Sequence, residues 1–386
     1  MAALRAPSPP EKIAICHLVS GDRWAGAEVQ VAALLRKLVQ RDELVLSAIV
    51  LNEGRLVKEL RSSGIEVRVI PEASNGFFRI LREAARSLRG RQIRIIHSHR
   101  YKENLLATLL GWWCRIPFVV RTQHGRSEPF RGLRRLKHGF LQSMDRFTAR
   151  YGTDRVISVS SEMQMHLTQY VDDRRVVTIH NGLEIERVKS GLGIAEAKEI
   201  LGIPCNAPVI ATAGRLEPVK RLDIFWGVAQ QVAVRQPHVR FVIAGTGSQE
   251  AQVRSWTEKH GLAPKVLLLG QREDICDILR ALDVFVLTSD HEGLPTVLLE
   301  ALWLGVPVVA RAVGGIPEVI QDDVNGVLIE RADASAIAEA CLSLLKDESR
   351  RKRLALAGAK TVSEKFTADQ TAGEVAKLYA SLCGVR

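Results

Sequence analysis

Two glutamates, Glu292 and Glu300, stand eight positions apart in the segment TSDHEGLPTVLLEALWLGVPVVA, which begins at Thr288. The apolar run before it reads as a strand, the polar middle as a turn, and the run after Pro295 as a helix. Proline suits the first helical position, where its missing N–H costs nothing. The free amides and positive dipole end of such a helix favour a phosphate, so Gly293 and Leu294 in the turn are candidates for contacting one. Glu300 lies roughly 7–8 Å along the helix axis and leans back toward the helix start. From there it can reach a group beside the phosphate, such as a ribose with two hydroxyls to donate. Glu292, in the loop itself, can touch a group on the phosphate's other side. Glutamates are ordinarily solvated charges; embedded in an apolar strand–turn–helix, this pair reads as functional.

A second segment, GRLEPVKR at 214–221, carries Arg215 and Lys220 between a strand's carboxyl end and a helix. An arginine fork and a lysine point charge there would neutralise a diphosphate and the charge that develops as it departs. A Gly-x-Gly at Gly245 and Gly247 also follows a strand, although this pattern serves any tight strand-to-helix turn. His97 and His99 could mimic a metal pair, but no carboxylate lies at ligand spacing, and no metal is assigned.

Short β-branched runs position these residues. They alternate with amphipathic stretches along nearly the whole chain. Strands are predicted at 13–19, 45–51, 67–70, 93–97, 118–121, 155–159 and 176–179, then at 209–213, 240–244, 266–269, 284–287 and 306–310. This alternation predicts βαβ units and a mostly parallel sheet in each of two doubly wound α/β domains, with a linker near residue 185. In such sheets ligands bind beyond the strands' carboxyl ends, where all the residues named above fall.

With 386 residues the chain is long enough for two cores, and 46% apolar with 25% charged residues is an ordinary soluble balance. Residues 1–10 read as a disordered tail without the apolar core of a signal peptide. The longest apolar run, about residues 105–114, is far shorter than the ~20 residues that span a bilayer. The expected location is the cytoplasm, or peripherally the inner face of the plasma membrane. The six cysteines show no metal or redox spacing. A net charge of +11 favours anionic partners. Aromatic content of 5%, with no zinc-finger spacing, argues against nucleic acid.

The 288–310 segment resembles the Glu-x7-Glu motif of retaining glycosyltransferases of the GT-B fold, specifically glycosyltransferase family 4 (glycosyl transferases group 1), and the resemblance extends over nearly the entire chain. Residues 214–221 resemble the family's G-R-L-x-x-x-K segment, and 241–247 its strand followed by G-x-G. Residues 269–272 are similar to the loop holding the donor's base, which implicates Gln271 and Arg272. Residues 179–182 resemble its Ile-Pro-Asn-Gly junction, with His180 in place of proline. SGDRWAGAE at 20–28 resembles the glycine-rich loop, with Ala25 replacing one glycine while Gly21 and Gly26 remain. Thr122-Gln123-His124-Gly125 matches a T-x-H-G element whose histidine lines the reaction centre.

The resemblance implies two Rossmann-like domains facing a cleft. The acceptor side is 1–185, the nucleotide-sugar side is 186–369, and a helix at 370–386 crosses back to the first domain. Ala368 stands where a tryptophan is usual. Catalytic candidates are His124, Arg215, Lys220 and Glu292. Donor-binding candidates are Gly26, Gly245, Gln271, Arg272, Gly293, Leu294 and Glu300, and Gly21, Asp22 and His99 are acceptor-side candidates. Implied too are a nucleotide-diphosphate-sugar substrate, a glycan or lipid-linked acceptor in bacterial cell-surface polysaccharide or lipopolysaccharide synthesis, and no metal or cofactor. Attack on the front face, assisted by the leaving diphosphate, would retain configuration; a double displacement stays open. The alternatives are a nucleotide-sugar 2-epimerase type of isomerase and a non-catalytic carbohydrate-binding protein of the same fold.

Between 130 and 151, Leu133, Leu136, Phe140, Met144, Phe147 and Tyr151 recur at helical spacing. Arg126, Arg131, Arg134, Arg135, Lys137 and His138 surround the first half. This stripe is either packed in the core or laid on an anionic membrane surface.

Overall fold

The computed structural model describes residues 12–22, 24–125, 134–259 and 261–384, with the side chains of 134–138 and 140 outside that description. The first sheet comprises β1 (Ile13–Val19), β2 (Leu44–Val50), β3 (Glu66–Val69), β4 (Ile95–Ser98), β5 (Phe118–Gln123), β6 (Arg155–Ser158) and β7 (Val176–Thr178). The second comprises β8 (Val209–Ala213), β9 (Arg240–Ala244), β10 (Val266–Gly270), β11 (Val284–Leu287), β12 (Val308–Arg311) and β13 (Val327–Ile329). All pairings between these strands are parallel. The central strands are buried on both faces, which is why they read as unbroken apolar runs. The edge strand β13 was not expected.

The strand orders are β3-β2-β1-β4-β5-β6-β7 and β10-β9-β8-β11-β12-β13. Each order reverses at one place, between β1 and β4 and between β8 and β11. Loops splay apart at such a reversal and leave a crevice. The loops at these two reversals carry Gly21, Asp22 and His99 in one sheet, and Arg215, Lys220 and Glu292 in the other.

The Ala368–Cys383 helix packs on the first domain, where Ala372, Val375, Ala376 and Tyr379 join a core with Ile15, Val19, Val31 and Leu35. Thr367 caps it with a reciprocal Gln370 contact. The chain enters this helix through a short bridge in which Leu183 N–H donates to Phe366 O at 2.8 Å and Ala368 N–H to Leu183 O at 2.9 Å. Phe366, 4% exposed, fills the second core and meets His180 edge-on, so the aromatic anchor lies two residues before Ala368.

The Arg134–Tyr151 helix is tied to β5 by a buried ion pair, Arg121 to Asp145 at 2.8 Å. Arg126, Arg131 and Leu133 lie outside the described residues, as do the side chains of Arg134, Arg135, Leu136, Lys137, His138 and Phe140. Beyond them Thr148 and Ala149 face inward, whereas Phe147 and Tyr151 are 55% and 62% exposed. The far end of the stripe is therefore not core. No described helix is long and apolar enough to cross a membrane.

A Cβ at Gly182 would stand 2.2 Å from the Thr367 carbonyl oxygen, so any side chain there must push the bridge apart. Gly182→Ala is expected to destabilise the protein by about 1–3 kcal/mol, the usual cost of overpacking. Urea denaturation measures this, and an unchanged midpoint would contradict it.

Candidate active site

The loops after β8 and β11 meet through charge. Lys220 Nζ donates to Glu292 Oε1 at 2.6 Å, and Ser289 Oγ donates to the same oxygen at 2.6 Å. Thr288 Oγ1 donates to the Lys220 carbonyl at 2.8 Å, which locks one loop to the other. Arg311 braces the turn from behind, donating to Ser289 O at 2.9 Å and Asp290 Oδ1 at 2.6 Å. Gly314 and Gly315 complete the brace. A Cβ on Gly314 would lie 2.1 Å from Glu292 O, and Gly315 N–H donates to Gly293 O at 2.6 Å. Sequence reasoning passed over this glycine pair, although a Gly-Gly just past a strand was a visible signal. Arg215 is exposed on the same loop as Lys220.

The Thr296–Trp303 helix begins here with Pro295 as its cap. Glu300, on its inner part, accepts no hydrogen bond from any described side chain, and desolvation pushes its carboxyl up to about 7. Gln271 and Arg272 lie exposed after β10; Arg272 already donates to Asp274, at 2.7 Å through Nε. Two donor-side candidates are packed into the structure. Leu294 is 3% exposed and its side chain belongs to the core, so only its backbone is available, and its carbonyl accepts from Asn181 Nδ2 at 2.9 Å. Gly245 packs against the loop after β8. Its φ is 135°, and a Cβ would lie 1.9 Å from the Gly214 carbonyl.

The first domain closes on this surface. A Cβ on Gly293 would lie 2.0 Å from the His124 carbonyl oxygen. Gln30 donates to Thr296 Oγ1 at 3.1 Å, and Gly26 sits nearby, its notional Cβ 3.6 Å from that oxygen. His180 Nε2 bonds Glu318 Oε2 at 2.7 Å across the junction, which gives the histidine in the proline position a partner.

His124 thus stands opposite the Glu292 loop, and the structure brings His124, Lys220, Glu292, Gly293, Gly26 and the start of the Glu300 helix together. Its Nε2 is 3.3 Å from His99 Nδ1, while its Nδ1 is buried without a partner among the described residues. Burial first, then the Arg100 charge, lowers His124 to about 4, so the ring is neutral at physiological pH.

Two acceptor-side candidates are buried. His99 is 2% exposed and lies behind His124, between it and His17. Gly21 is buried with φ 71°, its missing Cβ 2.6 Å from Val50 Cγ1, so a side chain there would be both strained and crowded. Asp22 is exposed and pairs with Arg100 at 3.2 Å. Arg100 also holds buried Glu28 at 2.6 Å, and desolvation pushes neighbouring Glu103 up to about 7. Arg100, next to the His-Ser-His run, escaped the sequence reading, as did His17 and Tyr379, which no local pattern marks.

The Glu300 carboxyl binds its proton more tightly in the fold than in the unfolded chain. Its effect therefore runs against stability as pH rises from the unfolded value of 4.5, and is complete above about 7. Glu300→Gln removes this slope. Melting temperatures from pH 5 to pH 8.5 should fall less steeply in the variant than in wild type; parallel curves would refute the raised carboxyl.

Sequence profiles match both halves of the chain: residues 24–187 match Glycosyltransferase Family 4, and residues 193–361 match Glycosyl transferases group 1. An Escherichia coli relative, UDP-Gal:alpha-D-GlcNAc-diphosphoundecaprenol alpha-1,3-galactosyltransferase, is 30% identical over 66% of this chain and 67% of its own. The Rhizobium meliloti lipopolysaccharide core biosynthesis mannosyltransferase LpsB is 28% identical over 76% of this chain and 81% of its own. The fold is that of Anabaena HepE solved with UDP-glucose, with a TM-score of 0.84 at 22% identity, covering 96% of this chain and 100% of that one. With both switch-point crevices facing one another and both halves matched, the chain belongs to glycosyltransferase family 4, on the GT-B fold.

Proposed function

We propose that the protein is a retaining glycosyltransferase that moves a sugar from a nucleotide-diphosphate sugar onto a glycan or lipid-linked acceptor in cell-surface polysaccharide or lipopolysaccharide synthesis. The observation that carries this reading is the Lys220–Glu292 pair at the β8/β11 reversal, beside a helix start and opposite His124. The names of the relatives support the substrates: UDP-galactose and a diphosphoundecaprenol-linked sugar for one, lipopolysaccharide core for another, and UDP-glucose bound in the solved neighbour.

In this reading the diphosphate lies at the Thr296–Trp303 helix start, and Glu300 accepts from the ribose hydroxyls. Arg215 and Lys220 neutralise the diphosphate, so no metal ion is needed for that task, and Glu292 accepts from a hydroxyl of the transferred sugar. The bond from the anomeric carbon to the phosphate oxygen breaks while the acceptor oxygen bonds the same face. The departing phosphate takes the acceptor's proton, which leaves configuration retained. Closure of Gly293 on His124 keeps water from the centre.

Release of nucleoside diphosphate from a panel of donors tests the activity, and donor epimerisation without acceptor would assign an isomerase instead. Arg215→Ala and Lys220→Ala should each lower turnover on the order of 10²–10³-fold, as expected for loss of a transition-state contact. Near-normal turnover in both would refute the diphosphate assignment. In calorimetric titration Glu300→Gln should weaken free nucleoside diphosphate, whereas Glu292→Gln should bind it normally and transfer poorly. Equal losses would overturn that division.

The same reading places the enzyme peripherally at the inner face of a membrane through the 130–151 segment. Exposed Phe147 and Tyr151, their ring centroids 4.9 Å apart, and Arg150 over the Tyr151 ring support it. Each cation near an anionic surface contributes on the order of 1 kcal/mol, screened by salt. Co-sedimentation should favour anionic over neutral liposomes and fall when Arg131, Arg134, Arg135 and Lys137 become glutamine. Binding indifferent to lipid charge, or surviving that change, would end the membrane reading.

A further inference from the structure

Behind His124 runs an unbroken buried string. Thr122 Oγ1 is 2.8 Å from His97 Nε2, and His97 Nδ1 is 2.5 Å from the Tyr379 hydroxyl. That hydroxyl is 3.4 Å from His17 Nε2, His17 Nδ1 is 3.0 Å from His99 Nε2, and His99 Nδ1 is 3.3 Å from His124 Nε2. His17, His97 and His99 are at most 2% exposed. Burial holds His17 near 3 and His124 near 4, and keeps His97 and His99 well below the ordinary histidine value, so all four rings are neutral at physiological pH.

The same three inner histidines offer nitrogens within 4.8 Å of one another, the kind of spacing a metal ion would use. Their rings, however, are inclined by only 15° to 38°. Near-parallel rings turn their in-plane lone pairs alongside one another rather than toward one point. Every ring nitrogen of the three also already has a partner in the string. The arrangement is that of a hydrogen-bonded string, not a ligand set.

A neutral imidazole has one donor and one acceptor, and each contact in the string needs one of each. If the Tyr379 hydroxyl donates at one contact and accepts at the other, only two arrangements satisfy every contact. In one, all four histidines carry the proton on Nε2, every hydrogen bond points toward Thr122, and His124 Nδ1 is a bare acceptor. In the other, all four carry it on Nδ1, every bond is reversed, and His124 Nδ1 is a donor. Tyr379 decides between them. Hydroxyl donors make shorter bonds than N–H donors, and the 2.5 Å contact to His97 is the shorter of its two. Tyr379 therefore donates to His97 and accepts from His17.

We propose that Tyr379, on the C-terminal crossover helix, is a positioning residue that acts through His17 and His99 to hold His124 as the Nε2–H tautomer, presenting bare Nδ1 to a hydroxyl of the bound substrate. The unpartnered Nδ1 is the open end of the string. This assignment rests on His124 lining the reaction centre, but the tautomers themselves can be read without substrate.

The test is nitrogen NMR of the full-length protein labelled with ¹⁵N-histidine, in which protonated and bare ring nitrogens resonate far apart. In wild type, His17, His97, His99 and His124 should all be Nε2–H. A mixed set, or all four as Nδ1–H, overturns the proposal without any variant. In Tyr379→Phe the string loses its director. His124 should then show both tautomers, and kcat should fall about three- to tenfold, the worth of one hydrogen bond, with KM little changed. An unaltered His124 signal in a folded Tyr379→Phe protein also overturns it. His124→Gln separates the two claims: full turnover in that variant with the expected wild-type tautomers would remove His124 from the reaction centre and with it the substrate half of the proposal.

Discussion

The arrangement depends on the absence of one side chain. Gly293 lies so close to the His124 carbonyl that a Cβ would stand 2.0 Å from it, and this contact lets the two domains approach at their strand-order reversals. Around it the other junction contacts fall into place, with Gln30 on Thr296, Asn181 on the Leu294 carbonyl and His180 on Glu318. Each parallel sheet forms a crevice where its strand order reverses, and these contacts bring the two crevices together.

Closure raises the electrostatic stakes. Lys220 and Glu292 neutralise one another across two loops, so neither charge is stranded in a site from which water is being removed. Glu300 has no such partner among the described residues, and its raised carboxyl is a cost to the fold. In the proposed reading, hydroxyl donors of the ligand would give this carboxyl the partners it lacks.

The two domains contribute unlike chemistry. The second brings charge, with Arg215 and Lys220 on one loop, Glu292 on a loop braced by Arg311 and the Gly314–Gly315 pair, and Glu300 on the helix that follows. The first brings neutral polar groups, a histidine string desolvated so thoroughly that none of its rings is charged. Tyr379 reaches that string from a helix that follows the whole second domain, so the first domain's interior is completed only after the rest of the chain is in place.

Local periodicity by itself determined the strands, their parallel arrangement and the loops that carry the chemistry, because β-branched runs and strand-to-helix turns are written in neighbouring residues. The spaced glutamates, Arg215 with Lys220, and the histidine after β5 were legible for the same reason. Only the tertiary structure decided how those residues pair. Lys220 and Glu292 lie 72 residues apart, and His17 and Tyr379 are separated by 362, distances over which no local pattern carries a signal. Tertiary packing also decided that His99 is buried, that Leu294 belongs to the core, and that Gly21 and Gly245 turn or pack the chain, since whether a residue meets a ligand depends on what folds against it.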